Sequence, residues 1–362
     1  MANIKQVAVV AGVSTATVSH VLNNSAMVTP KLRERVLKVV KDLNYQPNSL
    51  ARSLITRRSK SVGMVITDIT NPFYPAVVRG AEDVLEREGY VLIVGNTDGN
   101  VQKEESYYRT FRAKRVDGLL LITAPNPYPP AYLFRHNLEE TPVVFINRDY
   151  PGISADSVIA DNVGGSYKAV AHLLNLGHRR IAIITGPHQH VMGAQRLSAY
   201  EAALREYDLK PDPELIREGR FDRASGNERT RELLRLSSRP TAMFICNVAM
   251  TIGALQAIFE SGIRFPGDLA LICFDDQDWL NAIHPRITAV SQPAYELGAT
   301  AAEILLSRIS DKSPKSPCRK ILKTELIVRE SSGAEWLSEK SPSQTEENID
   351  WTTEKTVAKG LG

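Results

Sequence analysis

The stretch that decides the fold reads Ile4-Lys-Gln-Val-Ala-Val-Val-Ala-Gly-Val-Ser-Thr-Ala-Thr-Val-Ser-His-Val-Leu-Asn23. Asn3 precedes it as a helix cap, and apolar side chains then recur at helical spacing as far as Gly12, a residue that favours a helix end. Ser14 caps a second predicted helix over about residues 15–22. Two short helices joined by a glycine-containing turn are typical of a helix-turn-helix.

The outward face of the second helix carries side chains suited to DNA. A third helix, predicted from Thr29 and Pro30 onward, has one apolar stripe and completes a three-helix unit. In such a unit the second helix enters the major groove, where its polar and methyl groups meet base edges or phosphates. A plain three-helix bundle with a polar face is the alternative. The candidate base readers are Thr15, Ala16 and His20, the candidate phosphate contacts are Ser14 and Thr17, and Ser19 can reach either.

Charge divides the chain at about residue 60. The 362 residues have a net charge of +3, yet the first sixty hold ten Lys and Arg against Glu34 and Asp42, a net of +8. The remaining residues therefore carry −5. A basic module joined to a mildly acidic body indicates that the module meets a polyanion, although a solvated basic face would give the same count.

Two stretches carry a family resemblance. The run from Ile4 to Asn23 resembles the headpiece of the LacI/GalR family of bacterial transcription regulators, and Asn44-Tyr-Gln-Pro-Asn-Ser-Leu-Ala-Arg-Ser-Leu54 resembles the hinge of that family. The resemblance continues to about residue 332. It implies an all-α DNA-binding headpiece over 1–46, a hinge and linker over 47–60, and an effector-binding and dimerisation domain over 61–332.

The hinge can also be interpreted physically. Pro47 ends the third helix, and residues 48–54 form about two helical turns, which are too few for a stable helix in water. The segment is expected to order only against a paired hinge and a DNA groove. Leu54 suits a wedge between base steps of the minor groove, and Arg52 adds positive charge. The resemblance implies the same role for Leu54 with Ala51 in support, and a passive linker is the alternative.

After residue 61 the pattern changes to short β-rich runs that alternate with helical segments. Strands at this spacing imply right-handed βαβ units and parallel sheets. The candidate strands form two series, which indicates two similar lobes: 62–67, 90–96, 118–123 and 143–147, then 181–185, 216–221, 242–246 and 269–274. The resemblance implies a two-lobed α/β fold like that of periplasmic binding proteins, with a ligand cleft and chain crossings near residues 161 and 290.

Seven side chains near strand ends form the candidate effector site. Ligands of doubly wound sheets bind beyond the carboxyl ends of the strands. Carboxylate and guanidinium groups there would hold the hydroxyls of a sugar, and aromatic rings would cover its apolar face. The seven positions, which match the effector motifs of the family, are Phe73, Tyr74, Asp161, Arg196, Phe221, Asn247 and Asp275. Taken singly, each could equally be a cap or a salt-bridge residue.

One position departs from the family pattern. Val248 follows Asn247 where the family usually has an aspartate. The change puts a standard hexose in doubt and favours a phosphorylated, deoxygenated or partly apolar ligand. The alternative is that Val248 packs inside the domain while Asn247 contacts the ligand.

Other classes of protein lack their sequence signatures. No apolar run reaches the roughly 18 residues of a membrane helix, and no signal-peptide pattern is present, so a cytoplasmic protein is expected. Phosphate loops, nucleophile elbows and zinc motifs are also missing, so no cofactor, metal or enzymatic activity is expected. His188-Gln-His190 is interpreted as a solvated loop, and the widely spaced Cys246, Cys273 and Cys318 as thiols outside any disulfide framework, two of them in apolar runs.

The sequence therefore predicts a transcriptional repressor that binds a palindromic operator as a homodimer and responds to a small molecule, with a sugar or sugar derivative favoured. A single headpiece offers few base contacts, which favours a dimer, and the apolar helix Ile252–Phe259 is a candidate contact. The tail 333–362 is polar, has no leucine heptads and is predicted to be disordered. The alternatives are a solute-binding protein of a sugar uptake system and, third, an enzyme.

Overall fold

The N-terminal unit has three helices around a small apolar core. The computed structural model describes residues 2–22, 28–45, 58–124, 132–133, 141–148, 150, 153–311 and 316–333. The three helices are α1 Ile4–Ala11, α2 Thr15–Leu22 and α3 Pro30–Asp42. Asn3 and Gln6 form a reciprocal capping box at the start of α1, and Gly12 ends that helix at a φ of 62°. Val7, Val18 and Val36 are fully buried between the helices, as the apolar spacing predicted.

The first of two lobes contains a six-stranded parallel sheet. The strand order is β11-β5-β4-β3-β1-β2. The strands are β1 Ser61–Ile66, β2 Val91–Asn96, β3 Gly118–Leu121, β4 Val143–Ile146, β5 Asp156–Ala160 and β11 Arg319–Leu322. Three helices accompany this sheet: α4 Phe73–Arg87, α5 Val101–Ala113 and α11 Ala294–Ile309.

The second lobe repeats this architecture. Its sheet has the order β12-β10-β9-β8-β6-β7, and β12 is antiparallel to β10 whereas the other pairs are parallel. The strands are β6 Ile181–Thr185, β7 Ile216–Glu218, β8 Ala242–Ile245, β9 Ala270–Phe274, β10 Thr288–Ser291 and β12 Glu325–Ile327. The helices are α6 Asn162–Asn175, α7 Val191–Glu206, α8 Arg223–Leu234, α9 Val248–Glu260 and α10 Asp278–Ala282.

The chain passes between the two sheets three times. It leaves the first sheet after β5 at Asp161, returns after β10 at Gln292, and crosses again between β11 and β12. A small helical unit joined to two α/β sheets agrees with the predicted fold class. The sequence pattern did not single out β5, β11 and β12 as strands, and it interpreted residues 287–293 as a crossing without separating β10 from it.

Several predictions fall outside the described residues. They concern the hinge residues Ala51, Arg52 and Leu54 and nearly all of the tail 333–362. Within the described residues, no helix is long and apolar enough to cross a membrane. Cys246 and Cys273 are buried free thiols, as their apolar surroundings predicted, and Cys318 is exposed.

Candidate DNA-binding face and effector cleft

The second helix of the N-terminal unit presents a polar face to solvent. Val18 and Val21 are buried against the other two helices, while Thr15, Ala16 and His20 are exposed. The backbone N–H of Thr17 donates to Ser14 Oγ at 3.1 Å, so the serine caps the helix. The Ser14 and Thr17 hydroxyls are also 3.0 Å apart, within hydrogen-bond distance, and Ser19 is partly exposed. All six predicted contact residues are therefore at least partly accessible on or beside α2.

The second lobe contributes a buried arginine to the cleft. Arg196 lies on α7 with 2% of its surface exposed. Its Nε and Nη2 donate to Asn162 Oδ1 at 3.1 and 2.9 Å, and its Nη1 donates to the carbonyl oxygen of Cys246. Its Cζ is 3.5 Å from the ring centroid of Phe274, a cation–π contact. The guanidinium is thus held on its edges and on one face.

Asp275 lies beside Arg196 at the end of β9. Its carboxylate accepts hydrogen bonds from Gln292 Nε2 and from the backbone N–H of Val248. Burial raises the pKa of Asp275, and the nearby positive charge of Arg196 opposes that rise. Asn147 Nδ2 donates to Gln292 Oε1 at 3.3 Å, so Gln292 links the first lobe to the carboxylate in the second.

Three further residues of the second lobe lie just beyond strand ends. Asn247 is buried and its Oδ1 accepts from the backbone N–H of Met250 at 3.0 Å, which caps α9. Val248 belongs to the hydrophobic core of this lobe, with 2% of its surface exposed. Phe221 has a φ of 62°, and its ring lies directly against Gly186, where a Cβ would clash with it. Val248 therefore packs, as the alternative interpretation held.

The first lobe contributes aromatic residues from the start of α4. Phe73 is buried and meets the Tyr74 ring edge to face, at 5.3 Å between ring centroids. Burial raises the pKa of Tyr74, and the phenol lies within the electrostatic range of Arg148 and Asp275. Phe73 and Asp275 also line a cavity of about 660 Å³ that opens beside the crossings between the lobes. One of the two predicted aromatic residues, Phe73, and the predicted carboxylate of Asp275 thus border the same space.

Asp161 has a structural role at the first crossing. Its Oδ1 accepts from the backbone N–H of Gly164 at 2.8 Å and caps α6. The neighbouring Asn162, which the sequence analysis did not select, is the residue that contacts Arg196. Capping was the alternative interpretation of Asp161, and it accounts for this geometry.

Sequence reasoning missed Arg148 and misassigned His190. Arg148 is 5% exposed, and its Nη1 donates to His190 Nε2. His190 was predicted to lie in a solvated loop, but it is 2% exposed and its ring is 5.8 Å from that of Phe221, between centroids. The prediction of a solvated loop holds better for His188, whose side chain is 37% exposed. Its Nδ1 lies 3.1 Å from Glu218 Oε2. Both missed residues lie just beyond the carboxyl ends of strands, the same signal that identified the others.

The protonation state of His190 in its contact with Arg148 follows from burial. Desolvation lowers the pKa of His190 to about 3, and the charges of Arg148 and Arg196 add to the effect, so the imidazole is neutral at pH 7. Arg148 Nε has no hydrogen-bond partner among the described residues. Glu104, a carboxylate whose charge acts on Arg148, accepts hydrogen bonds from Tyr132 Oη at 2.6 Å and from the backbone N–H of Ala124.

A basic helix-turn-helix unit joined to two lobes around a charged cleft defines an effector-controlled DNA-binding regulator. Residues 3–48 match the family model of bacterial regulatory proteins of the lacI family, and residues 170–332 match that of the periplasmic binding protein-like domain. The chain is 36% identical over 332 residues to the ribose operon repressor of Haemophilus influenzae, covering 91% of this chain and 98% of that protein. It is also 36% identical over 335 residues to the HTH-type transcriptional repressor PurR of Aliivibrio fischeri, with the same coverage. The chain belongs to the LacI family.

Solved structures agree with this assignment. The lac repressor dimer bound to operator and the anti-inducer ONPF matches with a TM-score of 0.82 at 28% identity, covering 91% of this chain and 99% of that chain. The complex of the transcriptional regulator CelR with cellobiose matches with a TM-score of 0.69 at 32% identity, covering 91% of this chain and 100% of that chain.

Proposed function

We propose that the chain is a transcriptional repressor that binds a palindromic operator as a homodimer, and that a sugar or sugar derivative in the cleft sets its operator affinity. The observation that carries the proposal is the solvent-facing polar surface of α2, in a chain whose first sixty residues have a net charge of +8. A neutral polar surface would bind DNA weakly, because phosphate neutralisation supplies much of the affinity. The bases of the operator would be contacted by Thr15, Ala16 and His20.

The remaining DNA contacts divide into two groups. Ser14, Thr17 and Ser19 would position α2 on the phosphates. Ala51, Arg52 and Leu54 would act in the minor groove, with the leucine as the wedge. These three hinge residues lie outside the described residues, so their role rests on the sequence and on the family.

The homodimer is supported by apolar surface on both lobes. Val91 and Val94 are 64% and 37% exposed on β2, an edge strand of the first sheet. Ile69, whose backbone N–H donates to Asn96 Oδ1 at the end of β2, is half exposed. Exposed apolar edge strands mark sites where another chain binds. In the second lobe, Phe259 at the end of α9 is 60% exposed. The rest of the predicted contact helix Ile252–Phe259 is mostly buried within its own lobe, so its contribution would be confined to this end.

The effector would be held by the buried charges of the cleft. Arg196 and Asp275 offer donors and acceptors for hydroxyl groups, with Asn247 beside them, and Phe73, Tyr74 and Phe221 offer apolar ring faces. Asp161 would act by holding the start of α6. A sugar is favoured because one relative is named a ribose operon repressor and one matched structure is a cellobiose complex. The cleft would bind its ligand without catalysing a reaction. The protein would act in the cytoplasm, where chromosomal DNA lies.

The test is selection of duplexes from a random library by the full chain. The enriched sequences should contain two half-sites in inverted order, bound by two chains per duplex. Replacing His20 with Ala should weaken specific binding by about 10- to 100-fold, because a base contact is lost. The matched control is His284→Ala, an exposed histidine of the second lobe. Enrichment of no sequence, or equal binding by the His20 variant, would contradict the proposal.

A further inference from the structure

The second lobe exposes a small apolar surface at the end of α9. Phe259 has 60% of its surface exposed, and its ring lies 5.7 Å from the ring of Phe265, between centroids. Phe265 itself is 7% exposed, and the adjoining Pro266 is partly exposed. The term α9 apolar patch refers below to these three residues. Because the described residues leave most of Phe259 open to solvent, covering it with another apolar group would be favourable.

The described part of the chain ends beside this patch. Gly333 is its last residue and is buried, and a Cβ on Gly333 would lie 3.6 Å from Pro266 Cβ. The turn that precedes Gly333 is held firmly, since Ser331 is fully buried and its Oγ donates to a backbone carbonyl oxygen of β9 at 2.6 Å. The tail therefore leaves the second lobe from a fixed point next to the α9 apolar patch.

The first residues of the tail include an apolar pair. Trp336 and Leu337 follow Gly333 by three and four residues, and the next large aliphatic or aromatic side chain is Ile349. Three extended residues span about 10 Å, which is far enough to cross from Pro266 to the ring of Phe259. A group tethered this closely acts at an effective concentration in the millimolar range, which a separate chain in dilute solution does not reach.

We propose that Trp336 and Leu337 fold back over the α9 apolar patch and cover the ring of Phe259. The inference goes beyond the proposed function, because the contact needs neither operator nor effector. A second chain is the competing occupant of Phe259, and the short tether favours the tail. The exposed apolar surface that remains for the homodimer is then that of the first lobe, and the predicted disorder of the tail begins after Leu337.

The experiment follows the fluorescence of Trp336 in the full chain. The sequence has three tryptophans, and the other two are Trp279 on α10 and Trp351 far along the tail. Subtracting the spectrum of Trp336→Phe from that of wild type isolates the emission of Trp336, and Trp351→Phe isolates that of Trp351 in the same way. Trp336 should emit at shorter wavelength than Trp351 and should be quenched less by acrylamide, because an apolar surface covers its ring.

A variant of the patch decides whether the tail docks at the predicted place. Phe259→Ala removes the exposed ring and should weaken docking about tenfold, so that the quenching of Trp336 rises toward that of Trp351. The melting curve of this variant checks that the second lobe stays folded. The matched control is Tyr295→Ala, which removes an aromatic side chain that is 41% exposed in the first lobe and should leave Trp336 unchanged.

Three results would overturn the inference. Equal quenching of Trp336 and Trp351 in wild type would show that the tail leaves the patch open. Protection of Trp336 that persists in Phe259→Ala would place the tail elsewhere. Protection that is lost on dilution, or a dimer dissociation constant that Phe259→Ala raises about tenfold in sedimentation while Trp336 stays unchanged, would make a second chain the occupant.

Discussion

The two halves of the cleft each bury one arginine, and the halves differ in how completely the arginine is satisfied. In the second lobe, Nε, Nη1 and Nη2 of Arg196 all donate to protein oxygens. In the first lobe, Arg148 has one neutral acceptor and an orphaned Nε within the described residues. The difference is that the protein holds the guanidinium of the second lobe through all three nitrogens, whereas the guanidinium of the first lobe keeps one unused donor.

This asymmetry suggests how occupancy reaches the DNA-binding unit. The linker enters the first lobe at Ser59, whose backbone N–H and Oγ donate to Asp117 Oδ1 at 2.7 and 2.9 Å. The backbone N–H of Lys60 donates to Asp117 Oδ2 at 3.1 Å. A ligand that draws the first lobe toward the second would therefore move the anchored C-terminal end of the linker, as a two-state regulator requires.

The largest expected effect comes from removing the satisfied arginine. Arg196→Gln leaves Asn162 Oδ1 and the carbonyl of Cys246 without their donors, and should lower the free energy of unfolding by about 3 kcal/mol. Arg148→Gln removes a group whose hydrogen bond, among the described residues, goes to the neutral His190, and should change the free energy of unfolding by less than about 1 kcal/mol. Urea unfolding of both variants measures the contrast. Equal destabilisation by the two would show that the halves do not differ.

A smaller effect is expected from the pH dependence of His190. In the unfolded chain this imidazole binds a proton below about pH 6.5, whereas in the folded chain it does so only near pH 3. The unfolded state thus binds more protons between these values, so stability is lost as the pH falls. At pH 5 the loss from this residue should be about 2 kcal/mol relative to pH 7.

Comparison of His190→Gln with wild type isolates that contribution. The variant should show a shallower fall in unfolding free energy between pH 7 and pH 5, measured by urea titration. His172 and His178, whose pKa values are also lowered by burial, are present in both proteins and cancel. His284→Gln is the exposed control. A slope identical to wild type would mean that His190 is not buried as a neutral group.

The smallest expected effect on stability concerns the linker anchor. Asp117→Asn replaces a carboxylate that accepts three hydrogen bonds with an amide. The substitution should lower the free energy of unfolding by about 1 kcal/mol. Effector affinity should stay unchanged, while the effector-dependent change in operator affinity should shrink, because the linker is held less firmly. Fluorescence titration of a labelled operator measures this, with Asp208→Asn, at an exposed position after α7, as control. If the effector-dependent change in operator affinity stayed as large as in wild type, the contacts of Asp117 with the linker would not be needed to transmit it.

The sequence predicts local features better than contacts between distant segments. The exposure of Thr15, Ala16 and His20 follows from helical period alone, because the partners of that helix lie within forty residues. The strand-end rule likewise selected Asp275, which the structure places directly after β9 and within the electrostatic range of Arg196. It did not show that Arg148 and His190 meet, since their burial depends on how two lobes come together.

The other features that the sequence did not predict have similar causes. Strands β11 and β12 are four and three residues long and are stabilised by sheets built from remote segments, so their own pattern is weak. Asp161 has the residue type of a ligand contact, but a glycine three positions later lets its carboxylate cap α6. Such competition between capping and binding is decided by local backbone geometry, which the residue type alone does not specify.

The central claim is that occupancy of the cleft sets the affinity of the DNA-binding unit for its operator. The most direct measurement is the dissociation constant of the selected duplex at fixed salt, with and without the sugar derivative that binds the cleft most tightly. We predict a change of about 5- to 150-fold in wild type, and no change in Arg196→Gln at ligand concentrations too low to bind that variant. Equal operator affinity with the wild-type cleft empty and saturated would contradict the account.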